Sequence, residues 1–472
     1  MPKHGVYVGE ESTAVSTPVE VETGVPFVVG LSPIQKAETP ATVGIPKVCT
    51  TFAEFVEAFG WSEDWATYPL CEFAYSHFKL FGMQPAIFVN LLDPSTMKTA
   101  VAAADKTVVS KKVTLTETAI DSAALVVKAA GGNGDPYVKD TDYTVYFNGD
   151  GVMVVELLPD STHYSEASLN IAYDVVTPAS VTAAAVAAGV DKADLCMTVL
   201  GIVPDLLVAP GFSHQTVVAA VMAAKADSIN GMFRAKALID LNTSTVTTYS
   251  AAIQAKNTNN FTDENEIVCW PMVKLGDYKF HMSTQLAGLL AAVDAENGAP
   301  YASPSNNSMQ CDALILADGT EVILSLDQAN QLNSNGIVTV LNFMGGFKCW
   351  GNYTACYPTN TDVKDCQISV NRVFDWVGNT LIKTFWGYLD TPMTRRLIDT
   401  ILDTCNIWLN GLTGAGIILG GRCVMLESEN PTTNLIQGIV KLHIYLTPPS
   451  AAQEIDFTLE YDASYLTAAL TA

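Results

Sequence analysis

The chain has 472 residues, 49% hydrophobic and 16% charged, with a net charge of −24. That length exceeds one ordinary core, so roughly two to four domains are expected, and the apolar fraction excludes intrinsic disorder. The acidic balance argues against nucleic acid, whose binding needs clustered Lys and Arg to displace counterions, and against anionic membranes.

Ten cysteines are present and none forms a CxxC pair. Several lie in apolar runs, such as Cys196 in Leu195-Cys-Met-Thr-Val-Leu200, so free buried thiols in a reducing compartment are expected. The start, Met-Pro-Lys-His, has no signal-peptide pattern, and no apolar run reaches membrane-spanning length. Cytosolic synthesis without membrane insertion is the expectation.

Residues 1–30 read as an extended arm leading into a first strand. Its segment Gly5-Val-Tyr-Val8 has too little apolar surface for a core and must pair elsewhere. Residues 31–94 show a helical period at Phe52, Phe55, Val56 and Phe59, then from Leu70 to Phe81. A buried strand follows over Pro85–Leu92.

Residues 95–180 change character. Lys111–Leu115, Ala124–Lys128, Tyr143–Phe147, Val152–Leu157 and Leu169–Tyr173 are short strand candidates, and Asn148-Gly-Asp-Gly151 supplies a hairpin turn. This spacing predicts a small inserted β-sandwich.

Residues 181–357 alternate between strands and helices. Strands are expected at Leu206–Ala209, Ala235–Asp240, Glu266–Trp270, Ala313–Ala317 and Ile337–Asn342. Helices are expected at His214–Ile229, Ser283–Ala295 and Leu326–Leu332. The pattern implies a parallel or mixed sheet covered by helices.

Residues 358–450 open with a helix carrying Val370, Val373, Phe374, Val377, Leu381, Phe385 and Tyr388 on one face. Thr391-Pro392 is expected to cap and open a second helix, with Leu397, Ile401, Cys405 and Leu409 facing the core. The Gly411 to Gly416 region ends that helix. Val440 to Leu446 alternates as a half-buried strand, and residues 451–472 carry another over Ile455–Tyr461.

Motifs of chemistry are sparse. There is no G-x-S-x-G elbow; in Gly211-Phe-Ser-His-Gln215, Ser213 reads as a helix cap rather than a nucleophile. Gly414-Ala-Gly416-Ile-Ile-Leu-Gly420 follows a helix, which is wrong for a dinucleotide fingerprint, and reads as a turn into a Gly420-Gly421 bend. The six histidines have no metal-ligand spacing, and Asp362 with Asp365 reads as a helix N-terminal charge pair. No catalytic residue, metal or cofactor is expected. Trp376, Ile382, Trp386 and Leu389 form a second apolar stripe on the first C-terminal helix, more than one small domain needs. Arg395 and Arg396 oppose the macrodipole in the first turn of the second helix, calling for Asp399 and Asp403 or an outside acid.

One ordered set of residues carries a family resemblance. It runs through Gly336-Ile-Val-Thr-Val-Leu-Asn342, Lys348-Cys-Trp-Gly-Asn-Tyr-Thr-Ala-Cys356 and Asn360-Thr-Asp-Val-Lys-Asp365. It continues through Asp375-Trp376, Asn379-Thr-Leu381, Trp386, Asp390, Arg395, Trp408-Leu-Asn410, Asn430-Pro431 and Pro448-Pro449. This set resembles the C-terminal part of phage tail sheath proteins, and Gly24-Val-Pro-Phe-Val-Val-Gly30 extends the resemblance towards the N-terminus. The resemblance implies a subtilisin-like α/β domain without a protease site, an inserted β-sandwich and an α+β C-terminal domain. It implies a structural subunit that stacks in sixfold rings around an inner tail tube and contracts, in a virion tail or phage-like particle. Partners would be further copies, the tube, the baseplate and terminator or collar proteins, with assembly in the bacterial cytoplasm.

Strand arms that join neighbouring subunits are expected at Val6, Tyr7 and Val8 and at Ile455, Asp456, Phe457, Thr458 and Leu459. Trp386, Arg395 and Arg396 are candidates for tube or neighbour contact. The alternatives are an α/β hydrolase-like enzyme with an accessory β-sandwich, or a non-contractile tail or scaffold protein.

Overall fold

The computed structural model describes residues 18–117, 119–148 and 151–471. Val6, Tyr7 and Val8 therefore lie outside the described residues. The first described stretch contributes β1 (Pro26–Gly30), β2 (Lys47–Cys49), α1 (Phe52–Phe59), α2 (Pro69–Ala74) and β3 (Ala86–Asn90). Thr51 caps α1 by accepting from Glu54 N. The helical period to Phe81 is kept because α2 runs on as a π-helical turn over Tyr75–Leu80.

Six strands follow: β4 (Lys98–Thr107), β5 (Lys112–Thr114), β6 (Ile120–Ala129), β7 (Tyr143–Phe147), β8 (Met153–Leu157) and β9 (Ser168–Val176). They form two antiparallel sheets, β4-β9-β6 and β5-β8-β7. Val113, Ile120, Val127, Met153, Ile171 and Tyr173 fill a core separate from that of the rest of the chain. The sequence pattern misses β4, whose alanine-rich residues are mostly exposed and show no alternation; pairing with β9 defines it.

Next come α3 (Ala183–Val190), α4 (Cys196–Leu200), β10 (Leu206–Val208), α5 (Thr216–Asp227), β11 (Lys236–Asp240), α6 (Tyr249–Thr258) and β12 (Glu266–Cys269). The run continues with β13 (Met272–Leu275), β14 (Tyr278–Phe280), α7 (Met282–Asn297), β15 (Ala313–Ile315), β16 (Glu321–Val322), α8 (Leu326–Asn333), β17 (Ile337–Phe343) and β18 (Gly346–Trp350). The main sheet has the order β18-β17-β12-β11-β10-β1-β3-β2. Its interior strands are parallel, while β18 and β2 run antiparallel at the two edges.

Helices cover both faces of this sheet. A Cβ on Gly189 of α3 would stand 2.7 Å from Val29, whereas Leu70 of α2 lies over Gly30. Neighbouring strand residues point to opposite faces, so α3 and α2 sit on opposite sides. The strand expected at Ala313–Ala317 forms, but outside the main sheet: β15 belongs to the small antiparallel sheet β14-β13-β15-β16. Local pattern does not encode which sheet a strand joins.

The last part holds α9 (Val363–Cys366), α10 (Ile368–Phe385), α11 (Arg395–Gly414), β19 (Gly420–Val424), α12 (Thr432–Ile436), β20 (His443–Thr447) and α13 (Ala463–Thr471). One continuous apolar core runs from the main sheet to Trp376, Trp408 and Leu409 on α10 and α11. Three local expectations are corrected here. Thr394, not Thr391, caps α11 by accepting from Leu397 N. Gly420 and Gly421 begin β19 instead of forming a bend. The alternating segment 455–461 is not a strand, and Ile455, Phe457 and Leu459 are 70%, 86% and 96% exposed. Alternation marks a segment fit for pairing, but among the described residues no partner strand lies beside this one.

The ends of the six-stranded segment meet, because Thr177 N donates to Met97 O at 2.8 Å. Excising residues 97–178 and joining the ends with a short Gly-Ser linker should leave the main sheet folded. Circular dichroism and a thermal melt check this: one cooperative transition within a few degrees of the full chain is expected, and an insoluble product would refute the separability.

Candidate functional site

Parallel α/β sheets bind ligands and place chemistry beyond the C-terminal ends of their strands. Several polar groups gather at that edge here. Asp240, the last residue of β11, accepts from Ser213 Oγ at 3.0 Å, Ser283 Oγ at 2.5 Å and Ser283 N at 2.9 Å. Ser213 Oγ in turn accepts from Asp240 N at 3.0 Å. Ser213 is fully buried, so its hydroxyl is consumed within the structure. Nor does it cap α5, as the sequence suggested: Gln215 occupies that position, without a side-chain bond. Asp240 captured Ser213 because an unpaired buried carboxylate is costly.

Glu72 has a parallel role. Its Oε1 accepts from His281 N at 2.7 Å, and its Oε2 lies 2.8 Å from His281 Nδ1. Burial opposes protonation of the His281 ring, but the Glu72 carboxylate outweighs it and holds the pKa up at about 9. Glu72 and Asp240 thus both sit at the N-terminus of α7, where backbone N–H groups favour negative charge. The open cleft of about 510 Å³ beside them has no serine or cysteine in its lining. Among the described residues, no three His, Cys, Asp or Glu side chains gather as metal ligands.

The densest electrostatic feature joins the C-terminal helices to the main sheet. Arg372 of α10 is 3% exposed. It donates to Asp294 Oδ1 and Oδ2 at 2.8 and 2.5 Å and to Asp205 Oδ2 at 2.8 Å. Burial pushes Asp294 up to about 6, with Arg372 pulling the other way. Asp205 also accepts from Gly24 N and Val25 N at 3.0 and 2.7 Å. Gly24 has φ +70°, and a Cβ there would lie 2.6 Å from Ala291 Cα, so glycine is required. Beside this hub, the buried Lys236 reaches Asp375 at 2.7 Å and Asn265 at 2.6 Å. Trp376 Nε1 donates to Val21 O, and Trp408 Nε1 to Glu20 Oε1. Residues 19–25 are thereby threaded along α10. Sequence reading named none of these charges as partners, because they lie far apart in the chain.

The outward surface carries the remaining candidate residues. β19 pairs with β20 over Gly420–Val424, and neither has a second strand neighbour among the described residues. Phe374, Leu419, Ile444 and Leu446 line a trough of about 650 Å³ over this sheet. Asp456 and Thr458 are exposed with the apolar residues between them. Of the second apolar stripe, Trp376 packs on Trp408 with ring centroids 5.6 Å apart, whereas Trp386 and Leu389 are 58% and 60% exposed. Arg395 Nε donates to Asp399 Oδ1 at 2.9 Å, the intrahelical pair one turn on. Arg396 is exposed and has no carboxylate partner among the described residues. The structure does not bring the two helix arginines and the 455–459 segment into one site.

The Glu72–His281 pair gives stability a sign with pH. The folded pKa of His281, about 9, exceeds the ordinary value. The pair's contribution is therefore full below about pH 6.5 and is lost as pH rises through 9, up to about 3 kcal/mol. Urea unfolding at pH 6.5, 7.5 and 9 checks this. The decline expected over that range should flatten in Glu72→Gln, and parallel curves for the two proteins would remove the pair from the account.

No family model matches the chain. Its sequence is 26% identical to the tail sheath protein of Burkholderia phage BcepMu, over 98% of this chain and 97% of that protein. It is 24% identical to the tail sheath protein of Escherichia phage P2, over 44% of this chain and 52% of the relative. In structure it is similar to the helical sheath of the anti-feeding prophage in its contracted state, with a TM-score of 0.58, 16% identity and coverage of 98% and 100%. The contracted PVC sheath of an extracellular contractile injection system gives a TM-score of 0.58 at 14% identity, with coverage of 98% and 99%. The end-to-end sequence match, together with the shared mixed α/β multidomain fold, makes this chain a homologue of the phage tail sheath proteins.

Proposed function

We propose that the protein is the structural subunit of a contractile tail sheath, polymerising as stacked rings around an inner tube and contracting to drive that tube through a target envelope. The observation that carries this reading is the sequence match along nearly the whole of both chains. Further copies, the tube, the baseplate and a terminator or collar are its partners, and it is assembled in the host cytoplasm. The protein is not an enzyme in this reading, which the burial of Ser213 supports. The α/β domain is subtilisin-like, and residues 95–180 form an outward module.

A contractile polymer must change its packing without dissociating. Terminal strands that pair with a neighbour's sheet meet that need, since main-chain bonds follow the strand rather than the angle between subunits. We assign this role to Val6–Val8 and Ile455–Leu459. The support is a two-stranded sheet without further strand neighbours among the described residues, in the same chain as an exposed, alternating tail. At roughly 4–6 bonds per strand and about 0.5–1.5 kcal/mol each, an arm contributes several kcal/mol, and ring multiplicity strengthens the mesh. Trp386 and Arg396 are assigned to a tube or neighbour contact because they remain exposed or unpaired on the C-terminal helices.

Electron microscopy of the purified protein should show hollow striated tubes. Deleting residues 1–10, or replacing Phe457 with Pro, should leave a folded monomer that no longer polymerises; normal tubes from either variant would sink the arm assignment. Arg396→Glu should still give sheath but weaken co-assembly with tube protein at low salt. Co-assembly unchanged at low and moderate salt would remove Arg396 from the tube contact.

A further inference from the structure

The sheet of β19 and β20 has two faces of opposite character. Residues opposite each other in an antiparallel pair point the same way. Cys423, Ile444 and Leu446 therefore share the inner face, where they join the apolar core. Arg422 and Tyr445 are register partners on the outer face, and both are exposed. The Arg422 guanidinium stands over the Tyr445 ring, 4.2 Å from its centroid. That contact uses its charge and leaves its N–H donors for an acceptor, and no carboxylate pairs with it among the described residues. Glu429, just beyond β19, is occupied by His443, whose Nδ1 lies 2.9 Å from its Oε1. Arg422 is thus an uncommitted cation on a chain with 49 acidic residues against 25 Lys and Arg.

The tail carries the complementary pattern. Glu454, Asp456, Glu460 and Asp462 alternate with Ile455, Phe457, Leu459 and Tyr461, and all are exposed. We propose that residues 454–462 of a second copy add to this sheet with their apolar face inward, and that Arg422 selects them by their acidic face. Two facings are open to an incoming strand, and a slip of one residue exchanges them. The apolar-out facing would set Asp456 and Glu460 on the side of Ile444 and Leu446, where an unpaired carboxylate is costly. The apolar-in facing continues the inner face with Phe457 and Leu459, over the trough lined by Leu419, Ile444 and Leu446. It also brings the acids to the side of Arg422. With Thr458 across from Arg422, Asp456 and Glu460 take the two diagonal positions, which a long side chain reaches. The planar fork of a guanidinium then fits either carboxylate. An acidic surface elsewhere repels such a tail, so burial and charge favour the same facing and the same partner. Addition of a tail to this sheet rests on the sheath reading; its facing and charge preference rest on Arg422.

The test uses the full chain carrying Phe457→Pro as acceptor, which keeps β19 and β20 but cannot donate its own arm. The probe is a fluorescein-labelled synthetic peptide of residues 450–463, and binding is read by fluorescence anisotropy at low and high salt. The peptide is expected to bind, more weakly as salt rises. Adding Arg422→Glu to the acceptor should weaken binding roughly fivefold or more at low salt, with the melting temperature unchanged because Arg422 is exposed. A peptide with Asp456→Lys and Glu460→Lys should reverse the order, binding the Arg422→Glu acceptor better than the acceptor that keeps Arg422. Equal affinities across the four combinations would overturn the role of Arg422 while leaving strand addition intact. Weakened binding by Arg422→Glu that the reversed peptide does not restore would overturn it as well. A peptide that binds no acceptor at either salt would instead remove the arm assignment, and this inference with it.

Discussion

The buried contact of Arg372 with Asp294 and Asp205 is the constraint on which the rest of the structure depends. Taking three charged groups out of water costs several kcal/mol for each ion, and only close, multidentate geometry offsets it. Here the guanidinium engages both oxygens of Asp294 and one of Asp205, and Asp205 spends its remaining capacity on Gly24 N and Val25 N. One cluster therefore fixes α10, the C-terminal end of α7, the approach to β10 and the segment entering β1. Loss of Arg372 would leave the buried Asp294 without its cation and the half-buried Asp205 with only its backbone donors. Apolar replacements could match its stability, but they would not dictate a single docking of α10 on the sheet. The C-terminal helices consequently form one body with the main sheet, as their shared core requires.

The polar groups at the C-terminal edge of that sheet are committed to one another. Ser213, Ser283 and Asp240 saturate one another, and Glu72 is committed to His281. Both carboxylates lie at the start of α7, where the helix terminus lowers the cost of their burial. The residue types of a hydrolytic site are present, yet their hydrogen bonds lead back into the fold. What this edge secures is the seating of a long, largely buried helix between sheet and solvent.

The unspent binding capacity lies outside. An acidic chain of net charge −24 repels its own copies, so association must rely on screened charge, main-chain pairing and apolar contact. The exposed Ile455, Phe457, Leu459 and Tyr461 and the uncovered Trp386 supply apolar surface that the single chain does not bury. In the proposed sheath these surfaces meet other subunits.

The sequence by itself determined the elements whose period is local. Alternation gave β7 and β8, helical spacing gave α10 and α11, and the order of short motifs from Gly336 to Pro449 identified the sheath resemblance. Such features are legible because each depends on residues a few positions apart. Tertiary structure alone decided what those elements meet. It placed β15 in a separate sheet, recruited the alanine-rich β4 through β9, and turned Ser213 from a helix cap into a ligand of Asp240. It also chose, between the two wide stripes of α10, which tryptophan is core and which is surface: Trp376 packs on Trp408, and Trp386 stays 58% exposed. The Arg372 hub was invisible for the same reason, since its carboxylates are distant in sequence and only folding sets them within hydrogen-bonding reach. The tail at 455–461 marks the limit of both. Its alternation records a fitness for pairing, and pairing requires a partner strand that the described residues do not supply.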